Sequence, residues 1–316
     1  MIRRIILLYS FAACTIATLV PMESSDEFIL ASVQTRIEES DFQSVRAFAT
    51  MIQDLVHEAV AEGADLIVFP EYLNVFLASV PYHDIVDSSS TVAESLTRIF
   101  AVPENPENLL ELFSDNGDFV RRTMDQLYGS LANKYDVYIL AGTYFAPAAD
   151  TYGNPSLTNR SVLYNNHGVA VHEQDKVYLT PFENDFIGLS SGHIADVEKA
   201  EVFGMNVGIT ICRDTFFPVW DTVHQERDLW IDLRAEGTEW VPGREDFTKL
   251  MPERLEQSSS AYGTTVTLTG EFLELFWQGK SSVFEQDDGK IETTAWAETA
   301  TDSEVLIAVL QRNNYE

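Results

Sequence analysis

Apolar residues along the first third of the chain alternate between two periods. Phe28-Ile-Leu-Ala-Ser-Val-Gln34 is nearly all apolar and predicts a strand. Between Asp41 and Glu62, the residues Val45, Phe48, Ile52, Leu55, Val56 and Ala59 recur at helical spacing. Asp41 is the expected N-cap of that helix and Gly63 its stop. Asp65-Leu-Ile-Val-Phe-Pro70 predicts a second short strand ended by proline. Strands without polar alternation in a β-α-β opening predict a sheet covered at least on its inner face.

The pattern breaks over residues 80–116, where Ser88-Ser-Ser90, Pro103, Pro106 and Asp115-Asn-Gly117 interrupt it. Short helices are expected at Val92–Phe100 and Leu109–Phe113, and the whole stretch reads as an insertion or lid. A helix over Phe119–Tyr135 and a strand over Val137–Thr143 resume the rhythm. The second half is richer in strands, with helices expected at Phe217–His224 and Arg244–Tyr262. The layout predicts an α/β fold in one domain, residues 27–316, with two sheets inside and helices outside. That is a four-layer α-β-β-α sandwich.

Composition narrows the function. Fifty acidic residues against 20 basic ones give a net charge of -30, which disfavours nucleic acid and anionic lipid as partners. The six histidines show neither an H-E-x-x-H motif nor paired zinc spacing, so neither metal nor cofactor is expected. His57 is expected on the exposed side of the first helix. The leader differs from everything after it. Arg3-Arg4 precedes 16 uncharged residues, Ile5 to Val20, short for a membrane span and suited to a signal core. Residues 1–26 therefore read as a signal peptide or membrane anchor, and the protein as exported: periplasmic, secreted or membrane-anchored. Phe11-Ala-Ala-Cys14 is also a loose lipoprotein box, so a membrane contact is expected only through this segment.

Three polar residues stand where apolar strands end or turn. Glu71 follows Phe69-Pro70, Lys176 lies in Lys176-Val-Tyr-Leu-Thr-Pro-Phe-Glu183, and Cys212 closes Gly208-Ile-Thr-Ile before Arg213-Asp214. A lone cysteine is more often an inert core residue than a nucleophile. The order Glu, Lys, Cys and the motifs around each residue reverse that expectation. Together they resemble the nitrilase superfamily, the carbon–nitrogen hydrolases. The resemblance extends through Arg254-Leu-Glu-Gln-Ser258, Trp277-Gln-Gly-Lys-Ser281, Asp288-Gly289 and Glu304-Val-Leu-Ile-Ala-Val309, covering about residues 27–312.

The resemblance implies a thiol mechanism on a small-molecule amide. Cys212 would be the nucleophile, Glu71 the general base, and Lys176 the oxyanion partner together with the backbone N–H of Arg213. Glu183 would orient Lys176 or aid proton transfer. Tyr72, Asp214 and Trp240 are candidate substrate contacts. Arg213-Asp214 stands where true nitrilases carry Trp-Glu, which favours amide over nitrile as substrate. Arg213 is expected to pair with Asp214, or else to grip a substrate carboxylate. The charged stretch Leu233–Trp240 leaves a polar substrate open. The family habit of pairing through helices near the Cys strand implies a homodimer. The alternatives are a nitrilase, or a binding protein that has lost catalysis on the same fold.

Overall fold

The computed structural model describes residues 27–241, 250–287 and 289–312. The leader at 1–26, the first part of the helix expected over 244–262, and Asp288 of the final hairpin lie outside the described residues.

The expected β-α-β opening forms. β1 (Glu27–Ile37) leads through α1 (Val45–Ala61) to β2 (Leu66–Val68), which pairs parallel to β1. The helix starts later than the sequence implies. Ser44 is its N-cap, accepting from the Ala47 N–H, while Asp41 caps the preceding turn by accepting from the Glu38 N–H at 2.8 Å. His57 is exposed, as expected, with its ring nitrogen on the Tyr135 hydroxyl.

Beyond β2 the chain forms a 3-10 segment (Val75–Tyr82), then α2 (His83–Val86), α3 (Val92–Phe100) and α4 (Leu109–Tyr135). α3 matches its expected span. α4 corrects the sequence reading, because it runs unbroken for 27 residues through Asp115-Asn-Gly117. Asn116 stays helical by donating from its side chain back to the Leu112 carbonyl at 2.8 Å. Gly117 serves contact rather than a turn: a Cβ there would lie 2.2 Å from Cγ of Pro147. The glycine lets α4 lie close against the strand that carries Pro147.

The remaining strands are β3 (Tyr138–Ala149), β4 (Pro155–Tyr164), β5 (Ala170–Asp175), β6 (Ala200–Val202) and β7 (Met205–Ile211), followed by α5 (Val219–Val223). Then come β8 (Leu229–Ala235), α6 (Leu250–Glu256), β9 (Tyr262–Phe272), β10 (Leu275–Trp277), β11 (Ser282–Asp287), β12 (Lys290–Trp296) and β13 (Glu304–Gln311). The main strand order is β5-β4-β3-β2-β1-β9-β8-β7-β6. β1 belongs to both halves, pairing with β2 through Leu30–Ser32 and with β9 through Thr35–Ile37.

Side-chain alternation sorts the core. Leu30, Leu66, Val68 and Leu140 from one half pack with Val207, Ile209, Ile231 and Val266 from the other. Their chain neighbours Ala31, Ile67, Phe69 and Ile139 face the opposite way, onto Phe48, Ile52 and Val56 of α1 and Met124 and Tyr128 of α4. Trp230 and Phe284 pack with Trp220 of α5 and with Met251 and Leu255 of α6. The core thus divides into one strand–strand interior and two strand–helix interiors, in line with the expected α/β architecture.

Candidate active site

Glu71, Lys176 and Cys212 each leave a strand at a turn, and the turns are built to hold them. After β2, the Tyr72 N–H donates to Oγ1 of Thr143 at 2.8 Å and the Asn74 N–H to the Thr143 carbonyl at 3.1 Å. Gly142 in β3 has φ of 72°, and a Cβ on it would lie 2.1 Å from the Pro70 carbonyl oxygen. β3 therefore approaches the Pro70–Glu71 turn as closely as a backbone can. Lys176 follows β5, where Asp175 is gripped by Arg160 through two bonds of 2.7 and 2.9 Å. Strand alternation then turns Lys176 to the opposite, buried side. Cys212 follows β7 with φ of 49° and Tyr72 has φ of 62°, both in the left-handed region that non-glycine residues avoid.

These turns bring together a buried cluster of charges. Nζ of Lys176 lies 2.8 Å from Oε1 of Glu71 and 2.8 Å from Oε2 of Glu183. All three side chains are inaccessible to solvent. Oε2 of Glu71 accepts from the Ala235 N–H at 3.1 Å, which ties the end of β8 to the turn after β2. Glu183 lies on a π-helical turn, Phe182–Ile187, and accepts from both the Thr180 N–H at 2.8 Å and the Thr180 hydroxyl at 3.0 Å. The Tyr72 hydroxyl lies near enough to Glu183 to help hold its charge.

The two carboxylates are driven apart in acidity. Burial raises Glu71 to about 7; Lys176 and the Asn159 amide oppose the rise, while Glu183 adds to it. Burial also acts to raise Glu183, but Lys176, Thr180 and Tyr72 outweigh it and hold Glu183 below the usual value. Burial works against the charge of Lys176, yet Glu71, Cys212 and Glu183 together raise it, so the ammonium is held charged. Burial is the main influence on the Cys212 thiol and raises it well above its ordinary value, with the nearby Glu71 charge adding and Lys176 and Arg234 opposing. The resting thiol is therefore protonated and needs a base.

Several neighbours were not legible as site residues. Asn159 on β4 donates from one amide nitrogen to Oε1 of Glu71 and Oε1 of Glu183, each at 2.9 Å. Its only signal in the sequence is a polar residue inside a strand. Asp232 and Arg234 share one face of β8, are both buried, and are joined through Nη2 of Arg234 and Oδ2 of Asp232 at 2.5 Å. Arg234, one of the charges in the stretch Leu233–Trp240, is thus matched internally.

Other expectations are redirected. Asp214 is wholly buried and accepts from the Tyr178 N–H at 2.7 Å, the Val177 N–H at 3.1 Å and the Ile211 N–H at 3.2 Å. It fastens the lysine loop to the cysteine turn and is not turned toward a ligand. The expected Arg213–Asp214 pair is not found among the described residues, because the Arg213 guanidinium donates to the Leu179 carbonyl. Trp240 is half-buried, with its backbone N–H donating to Oε1 of Gln278 at 2.8 Å and its ring 6.4 Å from that of Trp296. It shares a small cavity with Arg234, Thr267 and Lys280. Tyr72 is the one candidate contact that reaches the charged cluster, with Nζ of Lys176 5.9 Å from its ring centre.

The carbon-nitrogen hydrolase family model matches residues 29–263. No curated protein sequence matches the chain. Among solved structures, the chain is similar to a mutant of the amidase from Nesterenkonia sp. AN1 that shows the result of Michael addition of acrylamide at its active-site cysteine. The two are 16% identical with a TM-score of 0.61, covering 90% of this chain and 93% of that one. It is also similar to Nit3 of Saccharomyces cerevisiae, a member of branch 10 of the nitrilase superfamily, at 19% identity and a TM-score of 0.60, covering 90% of each chain. Because the family model spans most of the chain and the fold is that of these structures, this protein belongs to the carbon–nitrogen hydrolases of the nitrilase superfamily.

Proposed function

We propose that this carbon–nitrogen hydrolase is an amidase that converts an amide to a carboxylic acid and ammonia or an amine through a Cys212 thioester. The observation that carries the reading is the split between two buried carboxylates around one ammonium. Glu183 is held as the anion, while Glu71 is poised near 7 to take and return a proton. In the first half-reaction, Glu71 takes the thiol proton as Sγ of Cys212 attacks the amide carbon. Lys176 and the backbone N–H of Arg213 stabilise the oxyanion. Glu71 then protonates the departing nitrogen as the C–N bond breaks. In the second half-reaction, Glu71 takes a proton from water, hydroxide attacks the thioester, and the proton returns to the thiolate as the acid leaves. Glu183 keeps Lys176 charged and in place. The amidase among the structural neighbours, with acrylamide added at its cysteine, is in keeping with an amide substrate.

The test is a panel of amides and nitriles assayed for ammonia or amine release, with mass spectrometry of the intact protein for an acyl adduct on Cys212. Cys212→Ala is expected to abolish release and adduct while leaving the thermal melt near that of the wild type. Hydrolysis that persists in the folded variant defeats the mechanism. Turnover of nitriles without amides replaces the amidase reading with a nitrilase one. We also propose a homodimer, supported by Phe216 and Val219, which follow Cys212 and are both exposed. Light scattering at the monomer mass refutes it.

A further inference from the structure

A cavity of about 260 Å³ lies beside the charged cluster, and nothing in the mechanism above uses it. Its walls come from three places. The 3-10 segment and α2–α4 supply Phe76, Val86, Leu96, Ile99 and Leu112, and the β9–β10 corner supplies Phe272 and Trp277. Tyr72, Phe182 and Phe186 close the side nearest the cluster. The lining is almost wholly apolar, and two of its polar members, Glu274 and Ser79, are already engaged. Oε2 of Glu274 accepts the Val92 N–H at 2.7 Å, and the Ser79 hydroxyl donates to the Phe76 carbonyl at 2.7 Å. An apolar guest would leave both of those bonds intact.

Tyr72 links the cavity to the chemistry. Its ring lines the cavity and meets Phe145 edge-on at 5.8 Å, while its hydroxyl reaches Glu183. It directly follows Glu71 in the chain, and its backbone is in the left-handed region. Phe182 directly precedes Glu183, and Phe182 and Phe186 stack at 5.3 Å with both rings substantially exposed. The cavity thus runs from exposed aromatic rings to the residue beside the base.

We propose that this cavity binds the apolar acyl chain of the amide substrate, so that the enzyme prefers medium-chain aliphatic amides. This rests on the amidase reading. The acyl part is chosen because it stays bound through both half-reactions, whereas the amine must leave and water must enter between them. A cavity of about 150 Å³ accepts benzene, so this one has room for roughly eight to ten carbons. The insertion that the sequence marks as a lid thereby becomes the wall that sets chain length.

The experiment compares kcat/KM for acetamide, butanamide, hexanamide, octanamide and dodecanamide. A buried methylene is worth about a fourfold gain, so octanamide should exceed acetamide by at least on the order of 100-fold, with no further gain at dodecanamide. Leu96→Trp, which fills the cavity, should lower the octanamide-to-acetamide ratio at least tenfold. Leu96→Ala, which enlarges it, should move the plateau to longer chains, and this second variant decides the matter if the first does not fold. A flat chain-length profile, or ratios unchanged in both variants, overturns the proposal while leaving amide hydrolysis intact. Failure to hydrolyse any amide in the series, acetamide included, overturns the amidase reading and this inference with it.

Discussion

Replacing Asn159 with alanine tests whether Glu71 is the proton carrier. Asn159 donates one bond of 2.9 Å to Glu71 and one of the same length to Glu183, and all three side chains are buried. Hydrogen bonds to charged groups are worth about 1.5–3 kcal/mol. Glu71 keeps Lys176 and the Ala235 N–H as partners, so the lower end of that range applies, equivalent to about one pKa unit. Loss of a donor to the carboxylate favours the protonated form, so Glu71 moves upward from about 7. Activity needs the ionised base and is lost as pH falls. The acid limb of kcat/KM should lie near pH 7 in the wild type and near roughly pH 8 in Asn159→Ala. The ratio of wild type to variant should be roughly fivefold at pH 7, about tenfold at pH 6, and should approach one near pH 9. Leaving two buried carboxylates short of a donor should also lower stability by about 1–3 kcal/mol, visible in a urea melt. A variant whose activity falls by the same factor at every pH refutes the reasoning, because Asn159 would then be setting geometry rather than the acidity of Glu71.

Other substitutions probe the supports of the site. Lys176→Met leaves Glu71 and Glu183 buried without their cation, and should cost about 3–5 kcal/mol in a denaturant melt as well as all turnover. Asp214→Asn weakens the acceptor that joins the Val177–Tyr178 loop to Ile211, and should lower kcat more than it raises KM, measured by steady-state kinetics. Gly142→Ala forces the Pro70 carbonyl aside and puts a side chain at positive φ, so activity should drop at least tenfold with only partial loss of melting temperature. Gly117→Ala would stabilise an isolated helix by about 1 kcal/mol but collides with Pro147, so the melt should show a net loss of about 1–3 kcal/mol.

Periodicity was enough to place the strands and helices that bury one clear face. α3, the β-α-β opening and the strands on either side of Cys212 have apolar spacings that only one element satisfies. It misled at Asp115-Asn-Gly117, where turn-forming residues sit inside a helix because a neighbouring strand needs the space and an amide can bond back to its own helix. Glu71 and Cys212 were legible because each interrupts an apolar run at a strand end, and Lys176 through the motif that follows it. Asn159 was not, since it is one of several polar residues in its strand and nothing in the sequence ties it to the two distant carboxylates it faces. Arg213 and Asp214 are adjacent and opposite in charge, yet the turn at Cys212 sends them to different partners. Adjacency in sequence is weak evidence for contact where the backbone turns sharply.

β1 is shared between the two halves of the sheet, and this bears on how activity is regained after unfolding. Glu71 stands beyond β2 on one side of it, and Cys212 beyond β7 on the other. The base and the thiol are far apart in sequence, and neither half contains both. Local helices and hairpins can form early, but the reactive pair exists only once β9 has zipped onto the end of β1. In a refolding experiment, recovery of turnover should therefore trail recovery of helical signal, and a chain cut between the halves should regain activity only as fast as its two pieces find each other.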